Sequence, residues 1–271
     1  MKRGGRCLIC WILSRDRRHT LRVTPHIRLV LGFALCLAAA ILSQQVVATA
    51  AADPDKDPQT PKLLQEARTL IDGKKPQAGI EKCENVITLF EKYYAGSKHK
   101  IYCARTSAEN LGYLVKAAAA MDKGTFEAGK HDAIVISSTW SGAYFMKGFA
   151  LQDLGRRAEA KAAIKQALEL SPWNSQYLSE LGSLYILEKN WPKAMESFKS
   201  AEDNAPLSPD EAKADELGRA RRGIAYVLVE LGKLDEAEKK YQQCLKENPN
   251  DTKAAAELEY VRGLKAKKKS E

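Results

Sequence analysis

Histidine is scarce in this sequence of 271 residues, which contains four. Two of them, His99 and His131, lie beyond residue 52, and they form no His/Cys set of the size a metal site needs. Cysteine is nearly as rare. Of six, Cys7, Cys10 and Cys36 fall in the first 52 residues, leaving Cys83, Cys103 and Cys244. So small and odd a number excludes a disulfide-built scaffold. The Cys7-x-x-Cys10 pair has no second pair with which to hold a metal. No G-x-S-x-G, phosphate-cradling glycine loop or H-E-x-x-H occurs, so the common hydrolase, nucleotide and metalloprotease signatures are missing. No apolar run reaches the ~20 residues of a membrane span, and Leu29–Leu42 stops at 14. One-sided charge is missing too, once the charges are placed. The formal net charge is +9, but residues 1–52 hold eight basic residues and one acid. The remaining 35 basic and 33 acidic residues nearly cancel, which removes the electrostatic case for nucleic acid.

What is present begins with a leader. A basic stretch, the short apolar run Leu29–Leu42 and a small-residue segment are the three parts of a secretory signal. Residues 1–52 are therefore read as a signal peptide, cleaved after Ala50 or Ala52, with an uncleaved anchor as the alternative. Cys36 follows Leu35, where lipoprotein processing wants a small residue. The stretch Asp16–Arg22 resembles a twin-arginine signal without its usual Ser and Phe. Residues 53–60 read as a linker.

Beyond it the chain repeats itself. Gly155–Pro172, Lys189–Pro206 and Gly232–Pro249 are each eighteen residues long, with alanine sixth (Ala160, Ala194, Ala237) and proline last. Twelve residues before each alanine stands another small residue: Gly148, Gly182, Ala225. Fainter copies pair Ala67 with Gly79 and Ala117 with Gly129. Small residues at matched points on consecutive helices let two backbones cross closely. Around each pair lie apolar residues at three- and four-residue intervals, one face of a helix. Examples are Leu151 with Ile164, Tyr185 with Phe198, and Leu228 with Tyr241. Pro172, Pro206 and Pro249 end helices because proline lacks the amide proton and clashes with the preceding turn.

This pattern resembles the tetratricopeptide repeat, a helix-turn-helix of 34 residues, over about Pro61 to Asn250. Leu181-Gly182, the second-helix alanines and the closing prolines carry the resemblance. It implies an all-α, right-handed superhelical solenoid of about five repeats over 61–250, with a capping helix at 251–265 and a basic tail at 266–271. The first-helix small residues step by 50, 31, 34 and 43, so the period breaks twice. The first break predicts a lengthened helix from about Lys98 to Met121. The second holds Ser208-Pro209-Asp210-Glu211, which reads as a capping box starting the fifth repeat early.

The resemblance further implies a concave groove lined by first helices and filled by a protein or peptide partner. Positions that the hairpin core does not require are Leu114, Phe145, Phe149, Gln176, Ser179, Ser183, Arg219, Arg222 and Tyr226. Phe145 and Phe149 serve either the groove or packing against the adjacent hairpin. The Lys/Asn set that holds a C-terminal carboxylate in some family members is absent. The expected function is an exported scaffold in an envelope assembly, secretion or maintenance complex, in the periplasm or cell envelope. It needs no catalytic residue, cofactor, metal, nucleic acid or stable membrane insertion after cleavage. The alternative is a repeat-bearing subunit of an enzyme complex, or an enzyme with a cryptic site.

Overall fold

A computed structural model describes residues 52–120 and 133–270 of the protein. The expected signal and its cleavage sites, residues 1–52, lie outside the described residues up to Ala51. In chain order, helices α1 (Gln59–Asp72) and α2 (Pro76–Tyr94) form a first hairpin. Strand β1 (Lys100–Ala104), helix α3 (Ser107–Ala120) and strand β2 (Ala133–Ser137) follow. Three further hairpins pair α4 (Thr139–Asp153) with α5 (Arg157–Leu170), α6 (Ser175–Leu187) with α7 (Trp191–Asn204), and α8 (Asp210–Glu230) with α9 (Leu234–Glu247). Helix α10 (Thr252–Ser270) closes the stack. The unit from Ala52 onward is a helical-repeat solenoid.

The small-residue pairs are where the hairpins cross. A Cβ on Gly148 would stand 3.1 Å from the Ala160 carbonyl oxygen and 2.7 Å from Ile164 Cγ1. One on Gly79 would stand 3.1 Å from the Ala67 carbonyl oxygen. Ala225 and Ala237 are both fully buried. Each first helix ends in the same turn, with an amide reaching back five residues: Lys75 to Leu70, Arg156 to Leu151, Asn190 to Tyr185, Lys233 to Leu228. This Schellman closure places the preceding residue in the left-handed region, where glycine is favoured. Gly155 (φ 71°) and Gly232 (φ 73°) comply, whereas Lys74 (φ 59°) and Lys189 (φ 55°) occupy it without being glycine. Asn174 and Asn190 cap α6 and α7 by accepting from Tyr177 N and Lys193 N.

Among the described residues the second expected repeat forms no hairpin. Residues expected in one long helix from Lys98 to Met121 divide into β1 and α3, and β1 pairs in parallel with β2, Tyr102 opposite Val135. Ala117 is buried against Tyr102, Tyr113 and Ala133, in the sheet core and not at a helix crossing. Gly129 lies outside the described residues. Four hairpins are thus described in place of five, and a β-α-β insert joins the first two. The stack continues across it: the Trp140 ring of α4 lies on Phe90 and Tyr94 of α2, centroids 5.4 and 5.8 Å apart.

The second break in the period is the insert's docking partner. α8 starts early, as expected, but Ser208 does not cap it; its hydroxyl donates to Glu216 Oε2 at 2.6 Å. Arg105 reaches across from the end of β1. Its NH1 donates to Glu216 Oε1 (2.6 Å), its Nε and NH2 to Glu109 Oε1 (3.0 and 2.8 Å). Glu109 is fully buried and Glu216 nearly so. Burial alone would lower the Arg105 pKa; the two carboxylates outweigh it and hold the value above the ordinary one. Thr106 Oγ1 meanwhile donates to the Leu207 carbonyl and accepts the Glu109 amide, capping α3.

Three boundaries also move. The linker is tied down, since the Asp55 carboxylate accepts the Ser137 amide and hydroxyl. α1 begins at Gln59, and α10 runs to Ser270 instead of ending near 265. Lys265 there is held by Asp235 and Glu238. Ala254, Leu258 and Val261 bury its apolar face against α8 and α9, the capping role expected of it. Cys83, Cys103 and Cys244 are free and buried, and burial pushes their thiols up to about 12, 12 and 11. Cys83 lies on α2, Cys103 on β1 and Cys244 on α9.

Candidate binding groove

First helices α1, α4, α6 and α8 meet around one cavity of about 360 Å³. α1 contributes Arg68, Ile71 and Asp72; α4 contributes Gly142, Phe145, Met146 and Phe149. α6 adds Gln176, Tyr177 and Glu180, and α8 adds Arg219. Four residues expected to line a groove, Phe145, Phe149, Gln176 and Arg219, are therefore brought together. Gly142 opens the wall, because a Cβ there would meet only Leu64 Cδ2 and the Tyr177 hydroxyl, at 3.4 and 3.9 Å.

The two phenylalanines divide the roles left open by the sequence. Phe145 stacks on Tyr177 of the next hairpin, centroids 4.6 Å apart and planes 20° apart, so it joins two repeats while walling the cavity. Phe149 is 45% exposed, a large apolar side chain that packing leaves in the opening. Its position is not a core position. The polar wall is already organised: Glu180 is nearly buried, accepts Gln152 Nε2 at 2.9 Å and pairs with Arg219. Burial pushes the Tyr177 phenol pKa up, so it stays protonated and able to donate.

The other expected residues go elsewhere. Ser179 is fully buried and Ser183 donates back to the Ser179 carbonyl, so neither hydroxyl is offered to a ligand there. Arg222 pairs with Asp251, whose other oxygen caps α10 by accepting Ala254 N at 3.0 Å. Its cation is used to seat the closing helix, and it does not line the cavity. Leu114 belongs to α3, on the insert, and is also apart from the cavity. Tyr226 lies further along α8 and is 38% exposed. Burial and then the Glu230 carboxylate push its phenol pKa up, with Glu257 and Tyr260 adding to the effect.

Arg68, Asp72, Tyr177 and Glu180 were not expected. A signal for Arg68 existed: it follows the small residue Ala67, as Phe149 follows Gly148, Ser183 follows Gly182 and Tyr226 follows Ala225. In the first two hairpins this position, Arg68 and Phe149, lines the cavity; Ser183 and Tyr226 hold the same place on their helices without reaching it. Glu180 carried no such signal, since a carboxylate on a helix reads as solvated surface until its Gln152 and Arg219 partners are placed. Among the described residues no group of three or more His, Cys, Asp or Glu side chains could hold a metal ion. Nor is any described helix long and apolar enough to cross a membrane.

The chain is similar to several solved structures at low identity, and one of them shares its fold at a TM-score above 0.5. PilF of Pseudomonas aeruginosa matches with a TM-score of 0.51 at 12% identity, over 77% of this chain and 69% of that one. MamA from Desulfovibrio magneticus RS-1 matches at 0.48 and 13%, over 79% and 89%. The first tetratricopeptide domain of Spaghetti (RPAP3), solved bound to an HSP90 peptide, matches at 0.42 and 22%, over 48% and 96%. No curated protein matches the sequence. Family models for the tetratricopeptide repeat match residues 145–209 and 223–251, the second to fourth hairpins described above. With their hairpins and crossing points in that arrangement, residues 145–209 and 223–251 are tetratricopeptide repeats.

Proposed function

We propose that the chain is an exported scaffold that holds a segment of a partner protein against the inner face of its first helices. One observation carries the reading. Four consecutive first helices converge on a cavity of about 360 Å³ in which Phe149 stays 45% exposed. That volume falls in the ~300–1,000 Å³ range of ligand sites. Aromatic side chains in such positions dominate interface energetics, because they remove much apolar area from water at little cost in side-chain entropy. The role is binding and not catalysis: the cavity's carboxylate Glu180 is engaged by Arg219 and Gln152, as a structural group would be.

Export rests on the leader, whose basic, apolar and small-residue parts follow one another in order. A protein carried across the inner membrane with a peptide-sized groove suits an envelope assembly, secretion or maintenance complex. Cross-linked co-purification from the native host tests both halves. Phe149→Ala should cut partner recovery about tenfold, as a hot-spot truncation does, with the melting temperature little changed. Equal recovery would remove the groove. Intact mass of the recovered protein should place its N-terminus at Ala51 or Asp53, and a chain retaining residues before Leu29 would remove the signal.

A further inference from the structure

The inner face repeats a second feature, five residues after each small residue. These positions are Asp72, Asp153, Leu187 and Glu230, each the last residue of its helix, α1, α4, α6 and α8. All four are exposed. Each lies one turn beyond the groove position already identified, so Arg68–Asp72, Phe149–Asp153, Ser183–Leu187 and Tyr226–Glu230 share a face. Three of the four are acids, at the end of a helix where the macrodipole favours a cation. Local helix energetics therefore opposes the choice three times. None of the three helices has a basic residue in its last turn to offset it.

No neighbouring cation neutralises the row either. Among the described residues Asp72, Asp153 and Glu230 have no ion-pair partner. Arg156 and Lys233, in the turns that follow, pair forward with Glu159 and Glu236. Arg219 and Arg222 are taken by Glu180 and Asp251. Across the eight positions there are three acids and one cation, Arg68, on a chain whose charges beyond residue 52 nearly cancel, at 35 basic to 33 acidic. The Tyr226 phenol lies beside Glu230, but no counter-charge meets any of the three acids, and a local rule broken repeatedly in this way marks a functional requirement.

We propose that Asp72, Asp153 and Glu230 receive Lys or Arg side chains of the bound segment, so that the partner presents a basic, apolar stretch to this groove. Phe149 and Tyr226, one turn earlier, cover the aliphatic stems or apolar neighbours of those side chains. Leu187, 54% exposed, takes an apolar residue at the third step. An acidic segment is disfavoured by the same row. Arg219 and Arg222, the α8 cations that an acidic segment would need, are already neutralised within the fold.

The inference rests on the groove reading, and one experiment separates the two. Two rhodamine-labelled peptides of 14 residues share a Leu/Ala/Ser frame and differ in carrying four Lys or four Glu. Their anisotropy is titrated with the full chain in low salt. The Lys peptide should bind about tenfold more tightly, the sum of a few exposed charge contacts. Because the chain is positive overall, bulk electrostatics acts in the opposite direction. The triple variant Asp72→Asn, Asp153→Asn, Glu230→Gln should abolish the preference, with a melting temperature equal to or above wild type. Binding of neither peptide, a Glu preference, or a Lys preference that survives the triple variant would overturn the proposal. Phe149→Ala reads the cavity separately and should weaken both peptides alike. If it weakens neither while the triple variant acts, the acid row stands and the cavity reading falls.

Discussion

The repeated hairpins and the β-α-β insert achieve burial by opposite means. In the hairpins a backbone crossing is set by small residues twelve apart, and apolar side chains fill what remains. In the insert, Arg105, Glu109 and Glu216 carry charge into the interior and satisfy one another across 111 residues of sequence. The hairpin solution is local and tolerant of repetition. The insert's solution occurs once and depends on complete pairing, because a buried charge without its partner is strongly unfavourable. Where the period lapses, the chain joins its parts by a specific polar contact.

The largest effect should come from breaking that contact. Arg105→Met leaves Glu109 and Glu216 buried without a counter-charge and should cost about 3–5 kcal/mol in urea unfolding. Adding Glu109→Gln and Glu216→Gln should recover most of the loss. A single variant as stable as wild type would show that the insert docks by other means. Breaking a hairpin crossing should cost less. Gly148→Ala brings a methyl within 2.7 Å of buried Ile164 and should destabilise by about 1–3 kcal/mol, despite the better helix propensity of alanine. Gly263→Ala on α10, with open space around it, should instead gain up to about 1 kcal/mol. If both glycines respond alike, the crossing-point account of the hairpins fails.

The smallest effect lies within the hairpins. Lys189 holds a left-handed turn that Gly155 and Gly232 adopt without strain. Lys189→Gly relieves about 1–2 kcal/mol of steric cost and returns part of it as unfolded-state entropy. A net gain of about 0.5 kcal/mol in thermal melts is expected. A loss would mean that the lysine side chain contributes something its backbone geometry hides.

The same contrast explains what could be read from the sequence. Gly148 with Ala160, the closing prolines and the apolar face of α10 were legible because their partners lie within one repeat. The insert was not, since Tyr102 and Val135 find each other only in the folded chain. Two local signals did exist. Ile134-Val135-Ile136 is a β-branched run, and Thr106 with Glu109 has the spacing of a helix start, which the Thr106 hydroxyl indeed caps. The similar Ser208–Glu211 spacing misled, because Glu216 claims the serine hydroxyl. For the groove, Phe145, Phe149, Gln176 and Arg219 were within reach of helical periodicity. The neutralisation of Arg222 by Asp251 was not, as it depends on where the next helix begins.

The stacking of α4 on α2 across the insert has a consequence for how the chain is made. Contacts within and between neighbouring hairpins close over short loops and form early, whereas parallel strand pairing over 33 residues must wait for a costlier closure. The three hairpins from Trp140 onward can therefore assemble on their own schedule. Of the four hairpins the first leaves the ribosome earliest, yet the faces of Phe90 and Tyr94 that meet Trp140 stay open until Trp140 has been synthesised. Pulse-labelled hydrogen exchange during refolding should find α6 to α9 protected before β1. Until that last docking, the first hairpin made is the most adhesive of the four.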